Sequence, residues 1–518
     1  MFLSTANLHE ISKYQFFAIK KVFLYYLCIN MRQIIYLHIL IAGLFIFSCT
    51  EQKVLDPEND VHDNIAWIEK TMRDKYYWYE DIPSESTLDY TMKEEDFFKS
   101  LLSYKDGKTF NSHHEFFSTI KRLSGAGTYS SNDIKNASSG KETSYGFDFM
   151  AIYNNPERTT IQLLVRYTLE NSPALQSGLK RGDWITEING MPITYNDAMS
   201  LTNGGGELSL TIQRWNPLFR NYVTQASKIL LPAARNLKDN PVHLSKVITT
   251  SSKRKKVGYL VYNHFTRGVD DSDLSYDNML RTLSSTTFNG VDEFVLDLRY
   301  NGGGYVSSAL LLCAILAPAS ALEKPFCYMH YNNKATTKES VLTAGLEQLH
   351  PNGKNLNLSA LYVIVSDESA SASELVINAL LPYIKKIVLI GEKTIGKNVA
   401  SNSYTSYDKY WEINPIVCRL SNAEKKSDYA NGFTPDYLHN EAFTRSVDDP
   451  SKVILEEVRE LGDVNERLLR VALDMIDGTD SHARSVRQTK GPTYTVISGN
   501  SISRKANQGA IINIINTK

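Results

Sequence analysis

Residues 361–401 read LYVIVSDESASASELVINALLPYIKKIVLIGEKTIGKNVAS. The apolar, β-branched run at 361–365 predicts a strand, and it ends in a small-residue turn carrying Ser369, Ser371 and Ser373. Apolar residues at roughly helical spacing predict a helix over 374–383, and residues 387–390 predict a second strand. A turn bracketed by Gly391 and Gly396 then presents Lys397. Strand, helix, strand in this order is a βαβ unit, and open α/β sheets place their chemistry at the carboxyl ends of such strands. The pattern therefore brings a hydroxyl and an amine to the same end of neighbouring parallel strands. A Ser/Lys nucleophilic enzyme is the first reading.

A serine hydroxyl attacks a carbonyl well only when a base removes its proton. Lysine is that base only when neutral, whereas a free lysine (pKa near 10.4) is charged at pH 7. Burial lowers a lysine pKa by up to several units, and the Ile-rich strand before Lys397 supplies apolar surroundings. Alone, the pattern also fits an ordinary serine N-cap and a solvated lysine. Upstream, residues 291–316 read VDEFVLDLRYNGGGYVSSALLLCAIL. They predict a buried strand, the turn Asn301-Gly302-Gly303-Gly304 and an apolar helix. Glycines in such a turn let backbone N–H groups approach a ligand oxygen, as an oxyanion hole requires. The GK[ST] continuation of a phosphate-binding P-loop is missing.

DLRYNGGG, SASASE, GEKTIGK and GFTPD (residues 432–436) occur in the order seen in S41 carboxyl-terminal processing peptidases, which the chain resembles over residues 60–445. That resemblance implies a tail-specific serine protease with a Ser/Lys dyad. Matched onto this chain, the nucleophile is Ser371 and the general base Lys397. Gly303, or its neighbour Gly302, would form the oxyanion hole with the backbone N–H of Ala372. Glu374 and Thr394 would hold the dyad, with Ser369 and Ser373 as structural neighbours. The implied fold is multidomain α/β: a ClpP/crotonase-like α/β protease core with an inserted PDZ-like domain and a small helical N-terminal domain. This chain departs from many relatives in having Ser401 where they carry Gln, and Leu381-Pro382-Tyr383 where some carry Asp. It is also one residue longer between Ser and Lys.

Residues 172–193, SPALQSGLKRGDWITEINGMPI, and the strand ELSLTIQR at 207–214 resemble a PDZ domain. Such domains add a peptide to a sheet edge and capture its terminal carboxylate on backbone N–H groups. The loop Tyr145, Gly146, Phe147, Asp148 and Phe149 would make that capture here. Recognition of a substrate tail would then be coupled to its cleavage.

The chain has 518 residues, enough for three or four domains, and a net charge of −1 with no basic block, which speaks against nucleic-acid binding. A charged start at Met31-Arg32, an apolar run over 34–47 and Ser48-Cys49 form a signal-peptide pattern with a lipobox-like end. The run is shorter than the ~20 residues of a spanning helix. Cys49 is expected to be lipidated, placing the protein on a bacterial envelope membrane, periplasm-facing or at the cell surface. Met31 is read as the true start, with an uncleaved anchor from Met1 as the alternative. Expected domains are a signal peptide (1–48, residues 1–30 lying upstream of Met31), a tether (49–62), the helical domain (63–125), the PDZ-like domain (143–232), the core (233–445), and C-terminal helices with a tail (446–518). The aromatic cluster KYYWYEDIP at 75–83 is read as core packing. Residues 456–478 are read as an amphipathic helix pair. No metal site and no cofactor are expected: the adjacent His113, His114 and Glu115 lack ligand spacing, and His264 reads as a polar loop residue. Cys313 is expected to be a buried thiol. Expected partners are protein or peptide substrates held by C-terminal tails, and a membrane through Cys49. The rival readings are a catalytically silent S41-like scaffold binding peptides or apolar ligands, and a PDZ-type tail-binding lipoprotein.

Overall fold

The computed structural model describes residues 57–110, 113–123, 141–153, 159–202, 204–269, 272–445, 452–479, 493–496 and 510–511. The expected signal peptide and Cys49 lie outside them. Residues 61–518 make up one compact unit.

Its centre is a six-stranded sheet in the order Val242–Thr249, Lys256–Tyr262, Glu293–Asp297, Ala360–Val365, Lys386–Gly391, Tyr437–Leu438. The first pair is antiparallel and every later pair parallel. Alternation sets the two faces. Leu361, Val363 and Val365 join one apolar cluster with the helices Val306–Leu316 and Ala372–Leu380, while Tyr362 and Ile364 join another with the helix Arg467–Asp477. Helix Val306–Leu316 is apolar all round because the helices Ser275–Ser285, Leu346–Leu349 and Ala372–Leu380 pack around it, and a second sheet joins the same apolar cluster. Phe326, Cys327, Val417, Cys418 and Leu420, from the strands Pro325–Tyr331 and Ile416–Ser421, belong to its cluster. Cys313 is a buried thiol in that helix.

The PDZ-like part is a sheet containing Phe147–Tyr153, Ile161–Thr168, Trp184–Ile188 and Leu208–Asn216. Ser172 caps the helix Pro173–Gln176, its Oγ accepting from the Leu175 N–H at 3.1 Å. The helix Tyr195–Leu201 opens with a Thr194/Asp197 capping box. One sheet face carries Phe149, Ala151, Leu163 and Val165 against Ala198 and Leu201. The other carries Met150, Ile152, Leu164 and Trp184 against Ala442 and Phe443 from the end of the core segment and Val458 from the C-terminal segment.

Three expectations are corrected. The 63–125 region is helical only at first: Pro57–Lys75 and Glu94–Ser100 are helices, but Lys108–Phe110, His113–Glu115 and Thr119–Arg122 are strands. The last pairs with Trp411–Asn414 of the core, a partner too distant in sequence for local patterning to reveal. Residues 456–478 form one helix, Arg467–Asp477, rather than two. Gly462 sits in a left-handed turn (φ 81°) against Leu244 and ends any helix before it. The helix after Ser371 stops at Leu380, short of the expected 383, because Pro382 cannot continue it. The aromatic cluster is core packing: Tyr76 is buried with Ile65, Ile68, Met72 and Phe97.

Candidate active site

Strand Ala360–Val365 and strand Lys386–Gly391 pair in parallel, so the turns leaving them emerge at one sheet end. The first turn carries Ser371, fully buried at the N-cap of Ala372–Leu380, with φ 59° and ψ −108°. A side chain at positive φ costs of order 1–3 kcal/mol, and such strain concentrates where a strand-to-helix elbow displays a nucleophile. Both neighbouring hydroxyls serve the scaffold: Ser369 Oγ donates to the Leu298 carbonyl (2.8 Å), and Ser373 Oγ to that of Asn301 (2.9 Å).

The second turn carries Lys397, 3% exposed. Burial pushes its amine down from the ordinary lysine range to about 8, with Asp106 and Glu374 opposing that shift. The shift corresponds to a penalty of roughly 3 kcal/mol on the charged form. Its Nζ lies 4.6 Å from the centre of the Phe117 ring. Asp106, fully buried, accepts from Tyr76 Oη (2.9 Å) and from the N–H groups of Phe117 (3.0 Å) and Ser118 (3.1 Å). Burial raises its own pKa, and the donors around it work against that.

Glu374 joins the two turns. Its Oε2 accepts from the Ser371 N–H (2.9 Å) and the Lys397 N–H (2.8 Å). Its Oε1 accepts from the Gly396 N–H (2.7 Å) and Thr394 Oγ1 (2.5 Å). Burial pushes this carboxyl upward, and the four donors oppose it. Thr394 Oγ1 in turn accepts from the Phe433 N–H (2.8 Å), which ties the GFTPD loop to the lysine turn. That contact needs Gly432, because a Cβ there would stand 1.9 Å from the Thr394 carbonyl oxygen.

The glycine turn docks on the serine elbow, since the Asn301 carbonyl accepts from the Ala370 N–H (3.2 Å) as well as from Ser373. The Gly303 N–H donates to Asn301 Oδ1 (2.9 Å). Gly302 is half-buried, and its N–H has no protein acceptor among the described residues. Ala372 is the first helical residue, where N–H groups lack intrahelical partners.

Ser371, Ala372, Glu374, Thr394, Lys397, Gly302 and Gly303 therefore share one region, whereas residues 145–149 lie apart in the PDZ-like sheet. There the Tyr145 hydroxyl donates to the Gly206 carbonyl (2.6 Å), the Gly146 N–H to Ser144 Oγ (3.0 Å), and the Phe149 N–H to Asp148 Oδ1 (2.8 Å). Buried ion pairs connect the two regions. Arg166, on strand Ile161–Thr168, donates to Glu368 (2.6 Å), three residues before Ser371. Arg181 meets Glu441 (2.8 Å), and Arg299 meets Glu466 (2.8 Å) and Asp297 (2.8 Å). Burial pushes Glu368 up to about 7 while Arg166 draws it down. Sequence reading missed Asp106, Phe117 and the Arg166–Glu368 pair, because each acts across a long sequence separation with no local motif. His264 is held elsewhere, by Thr266 (2.5 Å) and Asp239 (3.5 Å).

Comparison with known proteins agrees with this layout. The profile of Peptidase family S41 matches residues 256–439, that of the Peptidase S41 N-terminal domain 64–119, and that of a PDZ domain 164–214. A carboxyl-terminal-processing protease of Synechocystis sp. is 27% identical over 261 residues, 49% of this chain and 53% of that one. A CtpA-like serine protease of Staphylococcus aureus is 26% identical over 275 residues, 51% of this chain and 49% of that one. The chain thus spans about half the length of the curated relatives it matches. A crystal structure of an S41 protease from Bacteroides fragilis NCTC 9343 is 35% identical, with a TM-score of 0.65, covering 80% of this chain and 97% of that one. The agreement of motif order, domain series and fold over nearly the whole of that solved chain settles the assignment: this chain belongs to peptidase family S41, a family of serine proteases.

Proposed function

We propose that the chain is a serine endopeptidase in which Ser371 is the nucleophile and Lys397 the general base, acting on proteins or peptides recognised by their C-terminal tails. The observation that carries this reading is the Glu374 carboxylate, which fixes the positive-φ Ser371 elbow and the turn of the buried Lys397 through one oxygen. Ser371 Oγ attacks the scissile carbonyl carbon while neutral Lys397 takes its proton. The negative oxygen is met by the Ala372 N–H and that of Gly302, or of Gly303 once it leaves Asn301. Collapse breaks the C–N bond, and Lys397 returns the proton to the departing amine. Water then attacks the acyl ester, losing its proton to Lys397, and Ser371 is released protonated.

Tail recognition rests on the PDZ-like sheet and fits the name of the Synechocystis relative. The terminal carboxylate would lie at Tyr145, Gly146, Phe147, Asp148 and Phe149, whose donors exchange their internal acceptors for it. Attachment to an envelope membrane through lipidated Cys49 rests on the sequence pattern alone. A Cys49→Ala variant recovered in the soluble fraction would support it, and one still sedimenting with membranes would not.

The dyad is tested with a fluorescent peptidyl phosphonate, which bonds covalently to an activated serine. Labelling located at Ser371 by peptide mapping and lost in Lys397→Ala is the expected result. Labelling at another serine, or undiminished in Lys397→Ala, would overturn the assignment.

A further inference from the structure

The C-terminal tail enters two different sheets. Thr493–Val496 pairs antiparallel with Phe147–Tyr153, with Thr495 opposite Tyr153 and Val496 opposite Ile152. It takes the edge of that strand not used by Ile161–Thr168. As its numbering rises it runs toward the loop at Tyr145 and Gly146. This is the direction in which a tail peptide adds to a PDZ edge, its carboxylate leading to the loop. Ala510–Ile511 pairs in parallel with Val399–Ser401, with Ala510 opposite Ala400 and Ile511 opposite Ser401. That strand begins two residues after Lys397, and its other edge belongs to Ile416–Ser421.

Both short strands have the composition of added strands. TYTV is aromatic and β-branched, and Ile511 follows Ala510 on an edge made of Val399, Ala400 and Ser401. Extended backbone supplies at most about 3.3–3.6 Å per residue, so residues 497–509 can span on the order of 45 Å between the two attachments. In chain order the tail meets the tail-receiving strand first and the strand beside the base second. An extended substrate held by its C-terminus needs the same two kinds of edge but meets them in the opposite chain order, because its scissile bond lies N-terminal to its tail.

We infer that the chain's own C-terminal segments, Thr493–Val496 and Ala510–Ile511, occupy the strand edges that receive an extended peptide substrate, so that the protein carries an internal competitor for its substrate. The inference deepens the proteolytic reading and rests on it for the identity of the competing ligand. A competitor covering the edges for about 90% of the time would weaken apparent peptide affinity about tenfold.

The test measures binding of a short fluorescein-labelled peptide with an apolar C-terminal residue and a free carboxylate, by anisotropy. Every protein carries Ser371→Ala, so binding is read without cleavage. The forms compared are the full chain, a chain ending at Lys490, and a full-length Thr495→Pro variant, both of which remove the strand opposite Ile152 and Tyr153. Proline removes an N–H and disrupts strand addition with little change in length. The expected result is about tenfold tighter binding in both altered forms, reversed by adding a synthetic peptide of residues 491–518. Unchanged or weaker binding in both, with thermal unfolding like the parent's, would overturn the inference and make these strands permanent parts of their sheets. Tighter binding together with no cleavage by the Ser371-containing forms would sink the proteolytic reading and leave the competing tail standing.

Discussion

At the residue scale, the proposed dyad depends on how Lys397 is kept neutral. Its amine titrates near 8 because burial penalises the ammonium. The base form grows as pH rises through that value, so kcat/KM should climb to a plateau above about pH 8 and fall tenfold per unit well below it. A flat profile from pH 6 to 9 would contradict this. Phe117→Ala opens the ring face over Nζ to water. Weaker desolvation raises the lysine pKa, so the acid limb should move to higher pH and activity at pH 7 should fall, while the plateau changes less. Glu374→Gln replaces an acceptor-only group with one whose NH₂ faces N–H donors. One or two buried donors then lose their acceptor at about 1–3 kcal/mol each, and both the unfolding midpoint and kcat should drop. The grouping of Ser371, Glu374, Thr394 and Lys397 was legible in the sequence because they lie in one continuous stretch. Asp106 and Phe117 were not, since they reach Lys397 from a region almost three hundred residues away.

At the element scale, the βαβ unit forms because each strand is apolar on both faces and has a cluster for each. Unbroken runs of Val, Ile and Leu make that visible in the sequence. Strand pairing across domains is not written in any local period, which is why the strands at 108–110, 113–115 and 119–122 lie inside a domain expected to be helical. The Arg166–Glu368 pair is the element contact with the clearest consequence. It joins a PDZ-like strand to the turn that ends in Ser371, with both side chains at most 8% exposed. Removing one partner of a buried pair costs about 3–5 kcal/mol; because Glu368 titrates near 7, it can accept a proton and offset part of this. Arg166→Leu should therefore lower stability in urea by about 2–4 kcal/mol and reduce kcat, with a smaller loss below pH 7 than above it.

At the scale of the whole molecule, the PDZ-like sheet shares its second face with Ala442, Phe443 and Val458. Cut out alone, residues 143–232 would expose Met150, Ile152, Leu164 and Trp184. Such a fragment should unfold well below the parent's midpoint, so binding is properly measured on the full chain. The domain series was readable from motif order, because glycine turns and paired apolar runs mark each unit. The single C-terminal helix and the two tail strands were not, since their identity depends on partners elsewhere. The central claim is the Ser371/Lys397 dyad, and its most direct test is degradation of a loosely folded protein with an apolar C-terminal tail by residues 50–518, beside Ser371→Ala and Lys397→Ala. Cleavage by the parent and none by either variant is the predicted result; cleavage persisting in either variant, or absent from all three while the substrate binds, would contradict it.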